Sequence, residues 1–314
     1  MSTSKSLKER GQIAGKKTLG RKIVEFQKPY LFVLPILIFA VAFSYYPFIR
    51  TLLYSLSAVN KQGEIVRFVG LKNYLSIFSR EEFMNAIGVT LEFTLIYVPL
   101  AVILPFTLAL IANKRKLFSN IYQTLFALPM AVSVSASCYI FQQLLHRKIG
   151  LVNYFLEIIG VMQNKTNIDW LNDKVWALPS LSVIMVWIHI GFNFMLLLAA
   201  VRNVPDELIE SANLEGCGYW RKVFKIVIPI TSPTIFFVFC TQMVAGIMMN
   251  APTMILTKGG PVNSTSTMIY YVYTTGFRSG NYALGSTASI VTFLLAFIFL
   301  MFNFMYEKKG VVYD

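Results

Sequence analysis

Residues 203–229 read NVPDELIESANLEGCGYWRKVFKIVIP, and this stretch decides how the rest of the chain is interpreted. Pro205 suits the first position of a helix, where its missing N–H costs nothing, and the acidic residues that follow are favoured there by the helix dipole. Gly216 ends that helix, because glycine readily takes the left-handed conformation found at helix ends. A second helix begins near Tyr219 and enters an apolar block at Pro229. The stretch therefore predicts two helices separated by a glycine break, the second of which enters a membrane.

Residue chemistry leaves two interpretations of this loop open. Leu208, Ile209 and Ala212 fall on one side of the first helix. Small residues at positions 211, 212 and 216 would let the helix dock closely into the cleft of a partner protein. The same pattern also fits a plain amphipathic connector that lies on the lipid surface.

Six apolar blocks surround the loop. Of the 314 residues, 56% are hydrophobic and 14% are charged, against about 25% charged in soluble domains. A spanning helix needs roughly 20 mostly apolar residues. Blocks of that length lie at 31–53, 87–112, 121–145, 177–201, 226–249 and 286–306. They predict an all-α integral membrane protein with six transmembrane helices, divided into a basic arm at 1–28, a membrane domain at 29–306 that contains the loop 203–225, and a tail at 307–314.

The net charge of +13 predicts the orientation of the chain through its distribution. Cytoplasmic loops of membrane proteins collect Lys and Arg. With the N-terminus inside, 17 of the 28 Lys and Arg residues fall in the inner segments, and the remaining 11 are spread over much longer outer segments. Both termini are therefore predicted to be cytoplasmic, with the basic arm facing anionic lipid. This basic inner face is preferred to nucleic-acid binding as the reason for the charge.

The sequence lacks the residues that an ATPase or an active site would need. It has no G-x-x-x-x-G-K-[ST] loop, and its two His residues, His146 and His189, have no acids clustered around them in sequence. Cys138, Cys217 and Cys240 have neither disulfide nor metal spacing. We therefore expect a pore-forming protein and not an enzyme. It is expected to bind no cofactor or metal itself and to draw its driving energy from elsewhere.

The loop resembles the EAA motif of permeases in binding-protein-dependent ABC importers, which reads E-A-A-x-x-D-G-A-x(8)-I-x-L-P. Glu210, Gly216, Ile226 and Pro229 match the motif in place, and Ala212 matches its second alanine. Mild departures fall at the first alanine, the aspartate, the third alanine and the leucine, which are here Ser211, Glu215, Cys217 and Ile228. Because the spacing of the motif is kept throughout, the resemblance favours docking into a partner protein over a lipid-surface connector.

Three further motifs resemble the branch of this family that imports maltose, glycerol phosphate and oligosaccharides. They are Tyr46-Pro47, the run FVGLKNY at 68–74, and the run TKGGP at 257–261 followed by Ser264-Thr265. The Gly-Gly-Pro run also predicts an exposed turn without reference to any family. Together the motifs extend over nearly the whole chain from Pro29 onward.

The resemblance implies a type I ABC importer permease in the bacterial cytoplasmic membrane. It implies four kinds of partner: a second homologous permease in a heterodimer, two cytoplasmic ATPase subunits that hold ATP and Mg, an extracellular binding protein that delivers a sugar or oligosaccharide, and membrane lipid. The loop would dock on an ATPase subunit and convert its closure into movement of the membrane helices. The residues expected to carry this coupling are Glu210, Ser211, Ala212, Glu215, Gly216 and Pro229.

The same resemblance implies a substrate path along the third, fourth and fifth blocks, where sugars would meet aromatic and polar groups in an apolar cleft. Its residues, aligned on the motifs, are Met130, Val134, Gly191, Phe194, Gln242, Ala245, Gly246 and Met249, with His189 and Asn193 close by. Interhelical hydrogen bonds are the alternative role of His189, Asn193 and Gln242. Several of these residues are small or apolar, which predicts that the partner permease holds more of the sugar site.

Glu92 is the carboxylate that the predicted spans place inside the membrane. Such a group costs several kcal/mol unless it is partnered or hydrated, so Glu92 is predicted to face an outer vestibule or to pair with a basic group of the partner permease. Two other classes of function remain open. An ion-coupled secondary transporter would depend on Glu92 or His189 and work without ATPases, and a membrane assembly or receptor protein would bind partners without moving a substrate.

Overall fold

The computed structural model describes residues 32–113, 119–160 and 168–310. The predicted basic arm at 1–28, the inner basic cluster at 114–116 and the last residues of the tail lie outside them. Two compact units are distinguished, at residues 1–53 and 54–314. The described part of the first unit is helical, with a π-helical turn at Val41–Tyr45.

Eleven helices and one pair of strands make up the described chain. In chain order they are α1 (Phe32–Ser55), β1 (Ser57–Val59), β2 (Ile65–Phe68), α2 (Lys72–Phe78), α3 (Glu81–Ala112), α4 (Ser119–Ala127), α5 (Val134–Leu144), α6 (Leu151–Ile158), α7 (Ala177–Arg202), α8 (Asp206–Leu214), α9 (Tyr219–Ile247), α10 (Met268–Val272) and α11 (Tyr282–Gly310). Shorter 3₁₀ or π turns lie at Leu128–Ala131, Thr253–Thr257 and Tyr273–Arg278. Another π turn, Val223–Val227, lies inside α9.

Five helices of the described chain are long and apolar enough to cross a membrane: α1, α3, α7, α9 and α11. The 32 residues of α3 rise about 48 Å, more than the roughly 30 Å hydrocarbon core of a bilayer. Its helix begins six residues before the predicted block, because Glu81 and Glu82 in the first turn are stabilised by the helix dipole. These five helices confirm five of the six predicted spans.

The third predicted block, 121–145, is helical but broken into two segments. Ile121–Ala131 and Val134–Leu144 meet at an angle of 104° and form a sixth span only if the bent pair crosses as one. Pro129 lies in the 3₁₀ turn at the break. Ser133 then caps α5 by accepting a hydrogen bond from the backbone N–H of Ala136 at 3.2 Å. Because this cap satisfies a backbone donor at the start of α5, α5 begins as a separate helix with its own direction.

A small antiparallel hairpin is the exception to the predicted all-α fold. β1 pairs with β2, and Ser57 lies opposite Phe68. The FVGLKNY run that follows ties this hairpin to the end of α1. Asn73 donates to the carbonyls of Ser55 and Ser57 at 2.9 Å each, and Gly70 takes the left-handed φ of +61°. The motif therefore satisfies backbone groups that the helix end and the strand leave unpaired.

The Gly-Gly-Pro run forms the predicted turn, but the turn is not fully exposed. Gly259 is buried with φ of +82°, and a Cβ added there would lie 2.7 Å from the ring of Tyr270. The turn is held by Thr265, whose hydroxyl donates to the carbonyl of Gly260 at 2.7 Å. The predicted exposure is wrong because the chain folds back after α9 and packs this segment under α10.

The core of the second unit lies where α3, α7 and α9 meet. One cluster of buried side chains contains Phe93 and Tyr97 of α3 with Leu181 and Ile184 of α7. A second cluster, nearer to α8, contains Phe194, Leu197 and Val201 of α7 together with Val227 and Val238 of α9. A third joins α2 and α3 to α10 and α11. The second cluster lies at the helix ends from which the 203–225 loop projects.

Candidate coupling loop and translocation path

The first part of the loop is the short helix α8. Asp206 and Glu207 occupy its first turn, as the sequence predicts. Pro205 stands one residue earlier than predicted, at the N-cap, with φ of −57° and ψ of 128°. Its fixed φ still starts the helix without removing an intrahelical hydrogen bond. Because α7 ends at Arg202, only three residues separate the two helices.

Gly216 ends α8 in a Schellman motif. Its φ is +71°, its N–H donates to the carbonyl of Asn213 at 3.0 Å, and the N–H of Cys217 donates to the carbonyl of Ala212 at 2.9 Å. These two bonds satisfy carbonyls that the helix end would otherwise leave unpaired. No atom lies within 4 Å of a Cβ added at Gly216, so the requirement for glycine is conformational and not steric. The predicted glycine break is confirmed.

One side of α8 lies on the membrane helices and the other side is open. Ala212 is buried, and Ile209 packs against the second core cluster with Val204. Glu210, Ser211 and Glu215 are exposed. Among the apolar residues, Leu208 is 45% exposed and Leu214 is 91% exposed. Exposed leucines among carboxylates outside a membrane span are typical of a surface that another protein covers.

A side-chain bond attaches the end of α8 to the start of α9. The Lys222 ammonium donates to the Oδ1 of Asn213. Beneath α8, a cavity of about 760 Å³ separates it from the ends of α3, α7 and α9; Asn113, Arg202, Glu210 and Tyr219 are among its lining residues. The helix α8 is thus fixed at its start by the short link to α7, at its end by the Lys222–Asn213 bond, and along one side by the packing of Ile209. The sequence motif did not indicate the Lys222–Asn213 bond.

Pro229 lies inside α9, just after the π turn at Val223–Val227. A proline removes one backbone donor, and here Ile228 donates to the carbonyl of Val223 in the wider π pattern. Thr231 adds a hydroxyl bond to the carbonyl of Val227 at 2.7 Å. The loop therefore passes into the spanning helix without an interruption of the helical path.

A buried polar network joins the three central helices at the height of the predicted substrate path. The side-chain amide of Asn193 on α7 donates to the carbonyl of Ala101 on α3 at 3.0 Å. Gln242 on α9 donates to the Oδ1 of Asn193 at 3.0 Å and accepts a hydrogen bond from the hydroxyl of Tyr97. Asn193 and Gln242 are buried. The network thus uses the hydrogen-bonding groups of both amides inside the chain.

His189 stands beside this network without joining it. Its Nδ1 lies 3.0 Å from the carbonyl oxygen of Met185, one turn earlier in α7. Its ring meets the Tyr97 ring edge-on, with centroids 6.2 Å apart. Tyr97 therefore donates to Gln242 and contacts the ring of His189, a role that no sequence motif indicates.

Two of the predicted path glycines allow close helix approach. A Cβ added at Gly191 would lie 3.0 Å from the carbonyl oxygen of Ala127 and 3.2 Å from the Cβ of Met130. At Gly246 it would lie 3.2 Å from the hydroxyl of Thr94. Gly191 thus sets the contact between α7 and the break in the third block. Gly246 sets the contact between α9 and α3.

The other predicted path residues are divided between the surface and the core. Met130 is 63% exposed and Val134 is also exposed, both at the break between α4 and α5. Phe194 is buried in the second core cluster and Met249 in the first. Ala245 is half-buried. The fold therefore brings Gly191 to Met130 and Asn193 to Gln242, but it does not gather all ten residues around one point within this chain.

The comparisons with known proteins agree with this architecture. The family of binding-protein-dependent transport system inner membrane components matches residues 74–308. The chain belongs to this family. This permease is 31% identical over 289 residues to the sn-glycerol-3-phosphate transport system permease protein UgpA of Escherichia coli O157:H7. The alignment spans 91% of the chain and 96% of the relative.

A further relative is a permease of the same kind, and a solved structure has the same fold. The corresponding UgpA of Pectobacterium atrosepticum is 29% identical, again over 91% of this permease and 96% of the relative. A crystal structure of a bacterial alginate ABC transporter, in complex with alginate pentasaccharide-bound periplasmic protein, matches with a TM-score of 0.78 and 22% identity over 93% of this permease and 99% of that chain. The chain is thus a helical ABC importer permease of the bacterial inner membrane, and its role is transport and not catalysis.

Glu92 lies on the surface of this permease, on the exposed side of α3. Its neighbours one turn away, Gly88 and Leu95, are exposed as well. Within residues 32–113, 119–160 and 168–310, no three His, Cys, Asp or Glu side chains are grouped closely enough to hold a metal ion. Glu92 is therefore exposed in the single chain, together with its neighbours on the same side of α3.

Proposed function

We propose that this permease forms, with a second homologous permease, the pore of an importer for a sugar, an oligosaccharide or a sugar-like phosphate. An external binding protein delivers the substrate, and two ATPase subunits that hold ATP and Mg drive the cycle. The observation that carries the proposal is the open side of α8, where Leu208 is 45% exposed and Leu214 is 91% exposed. That side would sit in a groove of an ATPase subunit.

The substrate class is inferred from the relatives. Those named above are permeases for sn-glycerol-3-phosphate, and the solved structure belongs to a transporter of alginate. The two substrates share hydroxyl groups and negative charge. The FVGLKNY and TKGGP runs support the same branch of importers. Because Asn193 and Gln242 bond to each other, we expect the partner permease to supply most of the polar groups that grip the substrate.

Force transmission follows from how α8 is attached. Ile209 packs against the second core cluster, Ala212 is buried, and Lys222 joins Asn213 to the start of α9. A push on the open side of α8 would therefore reach α7 and α9 together. For this, α8 must face the cytoplasm, with both chain termini on the same side, as the Lys and Arg distribution predicts.

The two permeases would meet through surfaces that are exposed in the single chain. Met130 and Val134 at the α4–α5 break, and Glu92 on α3, are the predicted path and pairing residues of this kind. A heterodimer would allow one subunit to carry the polar sugar site and the other an apolar wall. An ion-coupled carrier, the alternative, would work through Glu92 or His189 without any ATPase.

A photocrosslinking experiment tests the proposal. Leu214 is replaced by a photoreactive phenylalanine analogue in cells that express the whole transporter, and Val262 is replaced as the matched control. Val262 is 85% exposed in the segment between α9 and α10. We expect a crosslink to an ATPase subunit from position 214 and none from position 262. A probe at 214 that captures only lipid would overturn the proposal, as would substrate uptake by proteoliposomes that contain this chain alone.

A further inference from the structure

The start of α9 carries positive charge beside a small cavity. Arg221, Lys222 and Lys225 line a cavity of about 250 Å³ together with Glu215, Cys217 and Ile226. Three cations and one carboxylate give this cavity a net charge of +2. Lys222 is bound to Asn213, whereas Arg221 and Lys225 are exposed and have no acidic partner within the described residues. The cavity is therefore suited to an anion.

Exposed aromatic side chains flank the cavity. Trp220 is 67% exposed and Phe224 is 62% exposed, and their rings stack with centroids 6.2 Å apart. Tyr219 meets Trp220 edge-on at 5.4 Å. The strongly apolar part of α9 begins at Ile226, within one turn of Phe224. Aromatic rings at this position of a spanning helix lie at the membrane–water interface, where they contact the headgroup region.

We propose that this cavity binds the phosphate of an anionic phospholipid headgroup. Arg221 and Lys225, one turn apart, would hold the phosphate oxygens, since guanidinium donates to phosphate in a bidentate manner and ammonium acts as a point charge. Trp220 and Phe224 would lie against the glycerol and upper acyl chains. A free phosphate ion has the same chemistry at the cations, but it would leave this aromatic pair exposed.

The site is distinct from the open side of α8, and its occupancy does not depend on the docking of an ATPase. It does adjoin α8, because Glu215 and Cys217 of the Schellman turn form part of its wall. A bound headgroup would therefore hold the end of α8 at a fixed depth in the membrane interface. Anionic lipid attracts each basic residue near the surface, so two unpaired cations are enough for a strong preference over neutral lipid.

Crosslinking with photoactivatable lipid tests the site. The full-length chain is placed in nanodiscs of phosphatidylcholine and phosphatidylglycerol in equal amounts, with either lipid supplied in photoreactive form. Mass spectrometry then measures the crosslink yield at the peptide covering 219–226. We expect phosphatidylglycerol to exceed phosphatidylcholine there by at least about tenfold. Equal yields from the two lipids in the wild-type chain would overturn the proposal.

Variants test whether anionic lipid binds this cavity or is attracted to basic residues in general. Arg221→Gln with Lys225→Gln should remove the preference at 219–226, whereas Lys61→Gln with Lys72→Gln, two exposed lysines near the hairpin, should leave it intact. The crosslink yield at residues 1–28, which hold eight Lys and Arg residues, serves as an internal standard for lipid content. Exchanging the charges, Arg221→Lys with Lys225→Arg, should retain most of the preference. A Gln double variant that keeps the full preference contradicts the assignment.

Added inorganic phosphate distinguishes the two sources of the anion. An excess of phosphate should leave the phosphatidylglycerol yield at 219–226 nearly unchanged, because the lipid is also held by Trp220 and Phe224. Loss of that yield on addition of phosphate would mean that a free ion is the ligand and that the lipid proposal is wrong. Protection of the same peptide by a co-expressed ATPase subunit would likewise assign the surface to a protein.

Discussion

Gln242 donates a hydrogen bond of 3.0 Å to the Oδ1 of Asn193, and this bond ties α9 to α7 in the centre of the second unit. Asn193 in turn donates to Ala101 on α3, so one pair of amides connects three helices. Both side chains point into the chain. Asn193 and Gln242, which are predicted to contact a sugar, thus hold the helices together. A role in substrate binding would change the KM of uptake, whereas a role in helix packing would change stability.

Asn193→Leu is expected to destabilise the permease without changing its apparent affinity for the transported substrate. The substitution leaves Gln242 and the Ala101 carbonyl without their partner, which costs about 1–3 kcal/mol for a buried group. Interhelical hydrogen bonds measured in membranes contribute about 0.6 kcal/mol on average, so we expect a loss of stability at the lower end of that range. The measurements are the unfolding temperature in detergent and the KM of uptake by the assembled transporter.

The double variant Asn193→Leu with Gln242→Leu provides the control. Because each single change already breaks the shared bond, the combined loss of stability should be smaller than the sum of the two. Additive losses would indicate that the bond contributes nothing. A raised KM with unchanged stability would instead assign the amides to the substrate path.

Gly216 is expected to be sensitive to substitution in a way that Gly218 is not. Neither glycine has an atom within 4 Å of an added Cβ, but only Gly216 has a positive φ, of +71°. A side chain in the left-handed conformation costs roughly 1–2 kcal/mol, and more when it is β-branched. Gly216→Val should therefore abolish transport and substrate-stimulated ATPase activity while membrane insertion persists.

Gly218→Ala is the matched control and should keep transport near the wild-type rate. Gly218 has φ of −65°, which any residue adopts. Transport assays and the amount of chain in purified membranes distinguish the outcomes. A Gly216→Val variant that transports normally would remove the coupling role of the loop, and a variant that disappears from the membrane would assign Gly216 to folding alone.

Local signals in the sequence were sufficient to predict the loop. The Pro205 start, the acids of the first turn and the Gly216 break each act within a few residues, and the structure differs only by one position at Pro205. The EAA spacing added the coupling role, which stays a prediction residue by residue. The bond from Lys222 to Asn213 was missed because it depends on how two helices turn back on each other.

The sequence patterns do not determine which side chains of neighbouring helices contact each other. Asn193 and Gln242 are 49 residues apart, and their contact depends on the rotation of α7 and α9, which apolar periodicity does not define in spans that are hydrophobic all round. The break in the third block did have a sign, since Pro129 precedes a possible cap at Ser133. Hydropathy alone does not indicate such a break, because it measures the length of an apolar block and not the direction of its helices.

Gly191→Ala is expected to destabilise the contact between α7 and the α4–α5 break. The added methyl would lie 3.0 Å from the carbonyl oxygen of Ala127 and 3.1 Å from the backbone N of Met130, which are backbone atoms that cannot move away alone. Overpacking of this kind costs about 1–3 kcal/mol. The unfolding temperature of the purified chain checks this expectation.

Gly88→Ala serves as the comparison for Gly191→Ala. Gly88 also lies in a long apolar helix, but nothing is within 4 Å of its added Cβ. Alanine in place of glycine in an open helical position stabilises by about 0.5–1 kcal/mol, so the unfolding temperature should rise or stay constant. Equal effects of the two substitutions would mean that the close approach at Gly191 carries no energy.

Glu92→Gln is expected to weaken assembly with the second permease. Glu92 is exposed on α3 of the single chain, and a carboxylate in a membrane is costly unless it is paired or hydrated. If a basic group of the partner permease meets it, removing the charge leaves that group unpaired, a loss of about 2–5 kcal/mol that corresponds to more than tenfold in affinity. Glu82→Gln, in the first turn of the same helix, is the control: it removes a charge from the helix start and should leave assembly and uptake unchanged. Co-purification of the two permeases measures assembly. Uptake tests the alternative role, in which Glu92 faces a water-filled outer vestibule. In that case Glu92→Gln should lower transport and leave assembly unchanged. If assembly and uptake both match the wild type, Glu92 has neither role.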